Sequence, residues 1–62
     1  MNRYKEGDTV TLKNDLLSYT GDVIVPAGTE GVIERVVSRT HSYYIQFEGD
    51  STDRYTRDSD LE

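Results

Sequence analysis

The stretch VPAGTEGVIERVV, residues 25–37, carries the strongest structural signal in this chain. Pro26 presets φ for the second position of a turn, and Gly28 suits the fourth, which is the residue pattern of a type I turn. Gly31 then precedes a run of β-branched residues, where a glycine permits a bulge or a close approach of two backbones. We therefore predict a turn set by proline, a corner glycine and a strand over residues 31–39.

The spacing of Gly28 and Gly31 also raises the question of a phosphate-binding loop. Such a loop needs the pattern G-x-x-x-x-G-K-[ST] at the start of a helix, because the lysine and the helix amino terminus bind the phosphate. Here Gly31 is followed by Val-Ile-Glu-Arg in a predicted strand, and Glu30 would repel a phosphate. A dinucleotide-binding unit is excluded as well, since no helix follows. The stretch therefore indicates fold architecture.

Alternating polar and apolar residues predict further strands on both sides of this stretch. The alternation is strict in DTVTLK and returns in SYYIQFEG, which is typical of half-buried strands. The expected β segments are residues 8–13, 23–25, 31–39, 42–49 and 51–57, and residues 14–22 are expected to form a long loop. The side chains expected in the core are Val10, Leu12, Ile33, Val36, Tyr43, Ile45, Phe47, Tyr55 and Leu61, with Leu61 closing a final short strand.

The same pattern predicts the fold class. Helices are disfavoured because alanine occurs once and no apolar stripe keeps a helical period over several turns. An open sheet this small would expose an apolar face and two edges, whereas closure into a barrel removes both problems. We therefore predict an all-β fold, a small five-stranded SH3-like barrel, in which residues 1–62 form a single domain.

Composition narrows the chemistry that is open to the chain. There is no cysteine, which rules out disulfides and thiolate metal sites, and the single histidine, His41, is too few for an imidazole zinc site. Twelve acidic residues make chance carboxylate pairs common, so pairing alone identifies no active site. The stretch EGDSTD, residues 48–53, lacks the residue order of a calcium loop. We expect no enzymatic activity, no cofactor and no metal.

The sequence also bears on location. The amino-terminal stretch MNRYKEGDTV lacks the apolar region of a signal peptide, and no apolar run approaches the roughly 20 residues of a membrane helix. The lack of cysteine fits a reducing compartment. We therefore expect a cytoplasmic protein with no membrane partner and no small-molecule substrate.

Most of the negative charge lies at one end of the chain. The formal net charge is −5, and residues 48–62 hold six acidic residues against two arginines. A negative domain is a poor electrostatic match for nucleic-acid phosphates and a better one for a basic protein. Asp50, Asp53 and Asp58 are therefore candidate contacts for a basic partner. The alternative is a solvated acidic surface that serves solubility.

Tyr19, Tyr44, Arg39 and His41 are further candidates for protein contact. Tyr19 lies in the long loop and Tyr44 on the outward face of its strand, and an exposed tyrosine provides contact area at low entropic cost. Arg39 and His41 lie at the tip of a loop between two strands. Alternatively, Tyr19, like Tyr4 before the first strand, covers an open end of the barrel, and His41 is a plain exposed loop residue.

The order of these segments resembles that of small bacterial SH3-like barrel proteins. The shared pattern is G-x-x-V-x-L, G-x-x-G-x-(V/I)-x-x-V, Y-x-(V/I)-x-F and a terminal D-L. The matching residues are Gly7, Val10, Leu12, Gly28, Gly31, Ile33, Val36, Tyr43, Ile45, Phe47, Asp60 and Leu61. In this respect the chain is similar to the small SH3-like component of photosystem I, to the ferredoxin-docking small subunit of the photosynthetic NDH complex and to KOW-type modules.

The resemblance covers nearly the whole chain and implies several kinds of partner. The photosynthetic members dock acidic ferredoxin through basic residues, and KOW-type modules bind RNA or ribosomal protein. Peptide-binding SH3 domains carry an A-L-Y-D-Y motif and paired tryptophans, and this chain has no tryptophan. Proline-rich peptides are therefore not the expected ligand.

The leading expectation is a non-enzymatic protein–protein interaction module, acting as a small subunit or a regulatory adaptor. One alternative is a KOW-like nucleic-acid or ribosome-associated module, which would bind RNA or DNA in a salt-dependent manner. Another is an acidic mimic of nucleic acid that occupies a basic site on another protein.

Overall fold

The computed structural model describes residues 3–62, which form an all-β fold with two short 3₁₀ turns. The strands are β1 (Thr9–Thr11), β2 (Leu16–Leu17), β3 (Val23–Val25), β4 (Glu30–Val37), β5 (Ser42–Phe47) and β6 (Arg54–Arg57). The first 3₁₀ turn is Ser38–Thr40 and the second is Asp58–Asp60. The prediction of a mostly β protein is confirmed.

The strands form two antiparallel sheets. The larger sheet has the order β1-β4-β5-β6, and the smaller sheet pairs β2 with β3. β4 is the longest strand and pairs with both β1 and β5. Its β-branched residues favour the extended conformation. The stretch that gave the strongest sequence signal therefore supplies a central strand, which ends at Val37, two residues earlier than predicted.

The two sheets are not closed into a barrel, so the predicted five-stranded barrel is not shown. Leu61 makes a single isolated bridge to Leu12, flanked by backbone hydrogen bonds of 2.7 and 3.0 Å. The second 3₁₀ turn takes residues 58–60 out of the extended conformation. The predicted final strand at Leu61 is therefore reduced to one bridge beside β1.

The core confirms the alternation predicted for the first strand and for β5. The buried apolar side chains are Val10, Leu12, Val25, Ile33, Tyr43, Ile45, Phe47 and Leu61. Val36, also predicted for the core, is half-buried and packs against it. The predicted close approach at Gly31 is confirmed. A Cβ there would lie 2.6 Å from Ile45 Cγ2 and 2.9 Å from the carbonyl oxygen of Gln46.

The prediction that Tyr55 is buried is wrong. Tyr55 is 45% exposed, whereas its neighbour Thr56 points inward and is only 1% exposed. Thr56 lies opposite Tyr43 in the register of β5 and β6, and residues directly opposite each other face the same side. Because successive side chains of a strand alternate between faces, the inward Thr56 leaves Tyr55 outside.

Two loop predictions also change. The turn after β3 closes with Thr29 N donating to Pro26 O at 3.3 Å, so Pro26 takes the first position instead of the second. Gly28 takes the third position with a φ of +92°, which a type II turn requires there, instead of the predicted type I turn. The predicted long loop, residues 14–22, contains β2, which pairs with β3 as a hairpin.

Candidate functional site

A row of side chains on the outer face of the larger sheet forms the candidate site. Arg35, Tyr44 and Tyr55 lie opposite one another on β4, β5 and β6, so they share one face. The rings of Tyr44 and Tyr55 meet edge to face, with centroids 5.4 Å apart and an interplanar angle of 65°. The guanidinium carbon of Arg35 lies 5.4 Å from the centre of the Tyr44 ring. We call these three side chains the tyrosine–arginine row.

A one-residue irregularity in β4 decides which charge meets Tyr44. Ile33 lies opposite Ile45, and the register then shifts so that Arg35 lies opposite Tyr44. Regular pairing would put Glu34 in that position, because it advances one residue at a time along both strands. The bulge therefore brings a cation to the aromatic ring instead of a carboxylate, and the ring quadrupole attracts the cation.

The hydroxyl of Tyr55 connects the row to the first 3₁₀ turn. It lies 2.6 Å from Oγ1 of Thr40. Hydrogen bonding with Ser42 and with Thr40, together with the positive charge of Arg57, holds the pKa of Tyr55 below its ordinary value. The outer end of this exposed ring is therefore anchored.

An open cavity of about 380 Å³ adjoins the row between the two 3₁₀ turns. It is lined by Thr40, His41, Arg57, Asp58 and Ser59. The backbone N–H of Asp58 donates to the carbonyl oxygen of His41 at 2.9 Å and holds the two turns together. Thr40 contacts the Tyr55 hydroxyl and the positive charge of Arg57 acts on it, so the cavity adjoins the row.

Three arginines at this surface have no carboxylate partner. Within residues 3–62, the ion pairs are Arg3–Asp58, Lys5–Asp8 and Arg54–Asp50. No ion pair within the same residues includes Arg35, Arg39, Arg57 or, beside β1, Lys13. In a chain of net charge −5, three arginines without an ion pair are therefore gathered at one end of the outer face. Lys13 lies towards the other end, because it follows Thr11, which pairs with Glu30.

The opposite end of the same face is acidic. A smaller cavity of about 250 Å³ lies there, and its lining includes Glu30, Val32, Gln46 and Glu48. Val32 and Gln46 lie opposite each other, and both glutamates are exposed. The outer face therefore runs from carboxylates at one end to arginines at the other, with Val32 and the tyrosines between them.

Two of the three acidic residues predicted as contacts are engaged within the protein. Asp50 accepts hydrogen bonds from Arg54, at 2.7 Å from Nε and 3.3 Å from Nη2, across the turn that joins β5 to β6. The hydrogen bond from Arg54 holds the pKa of Asp50 below its ordinary value. Asp53 is exposed in the same turn. Asp50 therefore stabilises a hairpin turn. Of the three predicted acidic contacts, Asp53 is the one that remains exposed to a partner.

Asp58 belongs to a network that ties the amino-terminal segment to the second 3₁₀ turn. Its Oδ1 accepts from Arg3 Nε at 2.7 Å, and its Oδ2 accepts from the hydroxyl of Tyr43. Burial raises the pKa of Asp58, but the hydrogen bonds from Tyr43 and Arg3 outweigh burial and leave the pKa below its ordinary value. The Tyr4 ring packs edge to face on Tyr43, with centroids 5.9 Å apart. Each oxygen of Asp58 therefore accepts a hydrogen bond within the fold.

The structure brings several of the predicted contact residues together. Tyr44 belongs to the row, Arg39 to the adjoining 3₁₀ turn and His41 to the cavity. Tyr19 lies elsewhere, fully exposed at the tip of the β2–β3 hairpin. The ring of Tyr4 packs edge to face on the buried ring of Tyr43.

Sequence reasoning missed Arg35, Tyr55 and Arg57. The available signal was the alternation in RYTR, in which a buried Thr56 would place Tyr55 and Arg57 outside. No sequence signal marks the bulge at Glu34, so the position of Arg35 opposite Tyr44 is visible only in the sheet register.

Comparisons with models of protein families, with curated proteins and with solved structures found no match to this chain. No group of three or more His, Cys, Asp or Glu residues able to hold a metal ion occurs in the part of the chain that the structure describes. No helix within residues 3–62 has the length and apolar character needed to cross a bilayer. Function must therefore be inferred from the outer face itself.

Proposed function

We propose that the chain is a non-enzymatic protein-binding module that uses the outer face of its larger sheet. The observation that carries this proposal is the outward Tyr44–Tyr55 pair, of which Tyr44 is half-buried and Tyr55 exposed, with Arg35 stacked on Tyr44. Tyrosine and arginine are enriched among the residues that dominate binding energy at protein interfaces. A partner that covers this row would bury the surface of the aromatic rings and could accept hydrogen bonds from the guanidinium of Arg35.

The row is ordered before any partner binds. Arg35 stacks on Tyr44, Tyr44 meets Tyr55, and Tyr55 is hydrogen bonded to Thr40. Immobilising a mobile side chain at an interface costs about 0.5–1.5 kcal/mol, so a preordered side chain binds at lower cost. This favours the row over Tyr19, which projects fully exposed from a hairpin tip.

An SH3-like barrel is the architecture that we propose for this module. The bridge between Leu12 and Leu61 brings the carboxy-terminal residues beside β1, and a small barrel would join its ends at this point. Such a module would act as a small subunit or a regulatory adaptor in the cytoplasm, where a chain without cysteine needs no disulfide.

The cavity beside the row supports binding over catalysis. Asp58 lines the cavity together with His41, and its two oxygens accept hydrogen bonds from Arg3 and Tyr43. A general base is most effective when its pKa lies near the operating pH. The hydrogen bonds from Tyr43 and Arg3 instead hold the pKa of Asp58 below its ordinary value, and the other groups that line the cavity are arginine, histidine and hydroxyl groups.

Single-stranded nucleic acid is the second candidate ligand. Exposed tyrosines beside arginines on a sheet face can stack on unpaired bases. However, a nucleic-acid strand that crossed this face would bring phosphates to Glu30 and Glu48, on a chain of net charge −5. The charge pattern therefore favours a protein.

The proposal is tested by affinity capture from a native lysate of the cells that make the protein. The tagged baits are the wild type, the Tyr44→Ala/Tyr55→Ala variant and the matched control Tyr19→Ala. We expect a protein captured by the wild type and by the control to be lost with the double variant, because only that variant removes the row. Circular dichroism of each bait establishes that it is folded.

An identical set of captured proteins for all three folded baits would contradict the proposal. Nuclease treatment before capture separates the two candidates. A signal that disappears with nuclease would favour nucleic acid, whereas a signal that survives nuclease and depends on Tyr44 and Tyr55 supports a protein partner.

A further inference from the structure

Charge changes sign along the strands of the outer face. Exposed Glu30 and Glu48 lie at one end, and Arg35 and Arg57 lie towards the other. Arg35 is five residues from Glu30 along β4, about 16 Å, and Ser42, the partner of Arg57, is six residues from Glu48, about 20 Å. Both distances exceed the Debye length of about 8 Å at physiological ionic strength, so the two ends present separate charges to a partner.

A face with this charge order is complementary to itself. A second copy can be rotated by half a turn about an axis that lies in the interface and crosses the strands. Its arginine end then covers the carboxylate end of the first copy, and symmetry supplies the same contact a second time. We propose that the partner that covers the outer face is a second copy of this chain, and this inference rests on the proposed use of that face for protein binding.

The middle of the face supplies the apolar contact of such a pair. Val32 and Tyr55 are 40% and 45% exposed. The Val32–Gln46 pair and the tyrosine–arginine row lie on either side of the axis, so each lies over the other in the rotated copy. The level of Glu30 and Glu48 then lies over the level of Ser42 and Arg57, with Arg35 one step closer to the axis. Aromatic rings packed on a β-branched side chain would remove apolar surface from water.

Two carboxylates lie near the arginine end, but the net charge of that end stays positive. Glu34 is exposed in the bulge, and it is outnumbered by Arg35, Arg39 and Arg57, which have no ion pair within the described residues. Asp58 lines the cavity, but its oxygens are engaged by Arg3 and Tyr43. The end therefore remains positive.

A second copy fits this face better than an acidic segment of another protein does. An acidic segment that followed the strands would satisfy the arginines and then meet Glu30 and Glu48. The β2–β3 hairpin also exposes apolar residues, Leu17, Val23 and Ile24. That hairpin carries no comparable order of opposite charges along its strands, so it serves as the control surface.

The exposed charges of the face make the pair sensitive to salt. A standard interface buries roughly 800 Å² per partner, which is about a fifth of the 4139 Å² that this molecule exposes. Exposed charge pairs weaken as salt rises. We therefore expect reversible association that grows with concentration and declines with ionic strength.

Sedimentation velocity over a series from micromolar to millimolar protein tests the inference, using two charge-reversed variants. Arg35→Glu/Arg57→Glu makes both ends acidic, and Glu30→Lys/Glu48→Lys makes both ends basic. Each variant alone should remain monomeric, because like charges meet at both contacts. An equimolar mixture should form heterodimers, because every contact again joins opposite charges.

A wild type that stays monomeric throughout the series overturns the inference, and so does a dimer that both reversals leave unchanged. If the wild type is monomeric while lysate capture still depends on Tyr44 and Tyr55, the second copy is excluded and the protein-binding function stands. If capture is also independent of those tyrosines, both proposals fail.

A measurement on the wild type alone keeps the inference testable even if a variant does not fold. Amide NMR spectra recorded across the same concentrations should shift at Val32, Tyr44, Gln46 and Tyr55. Shifts confined to Leu17, Val23 and Ile24 would place the association on the hairpin and overturn the inference.

Discussion

Tyr43 and Tyr44 are neighbours on β5, yet they serve two different regions of the molecule. The Tyr43 ring is fully buried, packs edge to face with Tyr4 and donates its hydroxyl to Asp58, which also pairs with Arg3. Tyr44 points outward and meets another tyrosine and an arginine in a similar geometry. The difference is that the inner group includes a carboxylate, whereas the outer row has none.

This difference separates a structural use of arginine and tyrosine from the binding use that we propose. In the group around Tyr43, Asp58 pairs with Arg3, and Arg3 also donates to the carbonyl oxygens of Asp58 and Leu61, which ties residue 3 to the carboxy-terminal segment. Outside, Arg35 contacts the ring face of Tyr44 and has no ion pair within residues 3–62. An arginine without a carboxylate partner retains donors for another molecule. Ring geometry alone would not distinguish the two regions.

Replacement of each tyrosine by alanine should give the largest contrast between the regions. Tyr43→Ala removes a buried ring and should lower the free energy of unfolding by about 3–5 kcal/mol, because it leaves a cavity and removes a hydrogen-bond donor from Asp58. That is close to the whole stability of roughly 3–5 kcal/mol that so small a core supplies. Tyr44→Ala should leave the protein folded and remove binding. Urea unfolding followed by circular dichroism measures the stability of both variants, and the lysate capture described above measures binding. Equal losses of stability in the two variants would show that Tyr43 and Tyr44 do not differ in their structural role.

Asp58→Asn should have the next largest effect, with Asp53→Asn as its control. The amide side chain accepts fewer hydrogen bonds than the carboxylate does and carries no charge to pair with Arg3. This loss should cost about 1–3 kcal/mol, while the exposed Asp53 should change stability by no more than about 0.5 kcal/mol. Chemical denaturation at neutral pH measures both. Similar effects of the two variants would show that the Asp58 network does not stabilise the fold.

The same carboxylate predicts a pH dependence. Because the pKa of Asp58 is lower in the folded than in the unfolded protein, its contribution is present above the unfolded value and is lost as pH falls through the folded value. Stability should therefore decline below about pH 4. The stability of Asp58→Asn should fall less steeply at acidic pH than that of the wild type. If both proteins lose stability equally as pH falls, the protonation of Asp58 does not cause the loss.

The smallest expected effect is a shift in the pKa of Tyr55, a residue of the outer face. Hydrogen bonds with Ser42 and Thr40 lower its pKa, so Tyr55 should form tyrosinate below the pH that is ordinary for a phenol. Thr40→Val removes one of these partners with little change of shape and should raise the pKa of Tyr55. Ultraviolet titration with Tyr55→Phe as the assignment control measures the shift, and no change in Thr40→Val would remove Thr40 as a cause.

The sequence predicted the elements in which polar and apolar residues alternate cleanly. Val10, Tyr43, Ile45 and Phe47 are inside as expected, because one face of each strand is uniformly apolar. The pattern failed at Tyr55, since the most apolar residue of RYTR is not the inward one. There the register with β5 decides the face, and register is a property of two strands.

The candidate site was harder to predict because its decisive contacts are distant in the chain. Tyr19, Tyr44, Arg39 and His41 can be chosen as exposed aromatic and basic residues, and three of them lie at the row or beside it. The arginine that pairs with Asp58 is 55 residues away, so nothing local distinguishes this carboxylate from a solvated one. Net charge was also a poor guide, because it averages over an acidic and a basic end.

The bulge at Glu34 bends β4 between the acidic end and the arginine end of the outer face. The pairs on either side of it, Ile33 with Ile45 and Arg35 with Tyr44, would both be preserved in a chain that lacked Glu34. Such a chain would have a flatter sheet, because a bulge bends its strand and increases the local twist. The fit between two rotated faces depends on that twist as much as on their charges. A single deletion would thus retain the side chains of the interface while changing the direction in which they point.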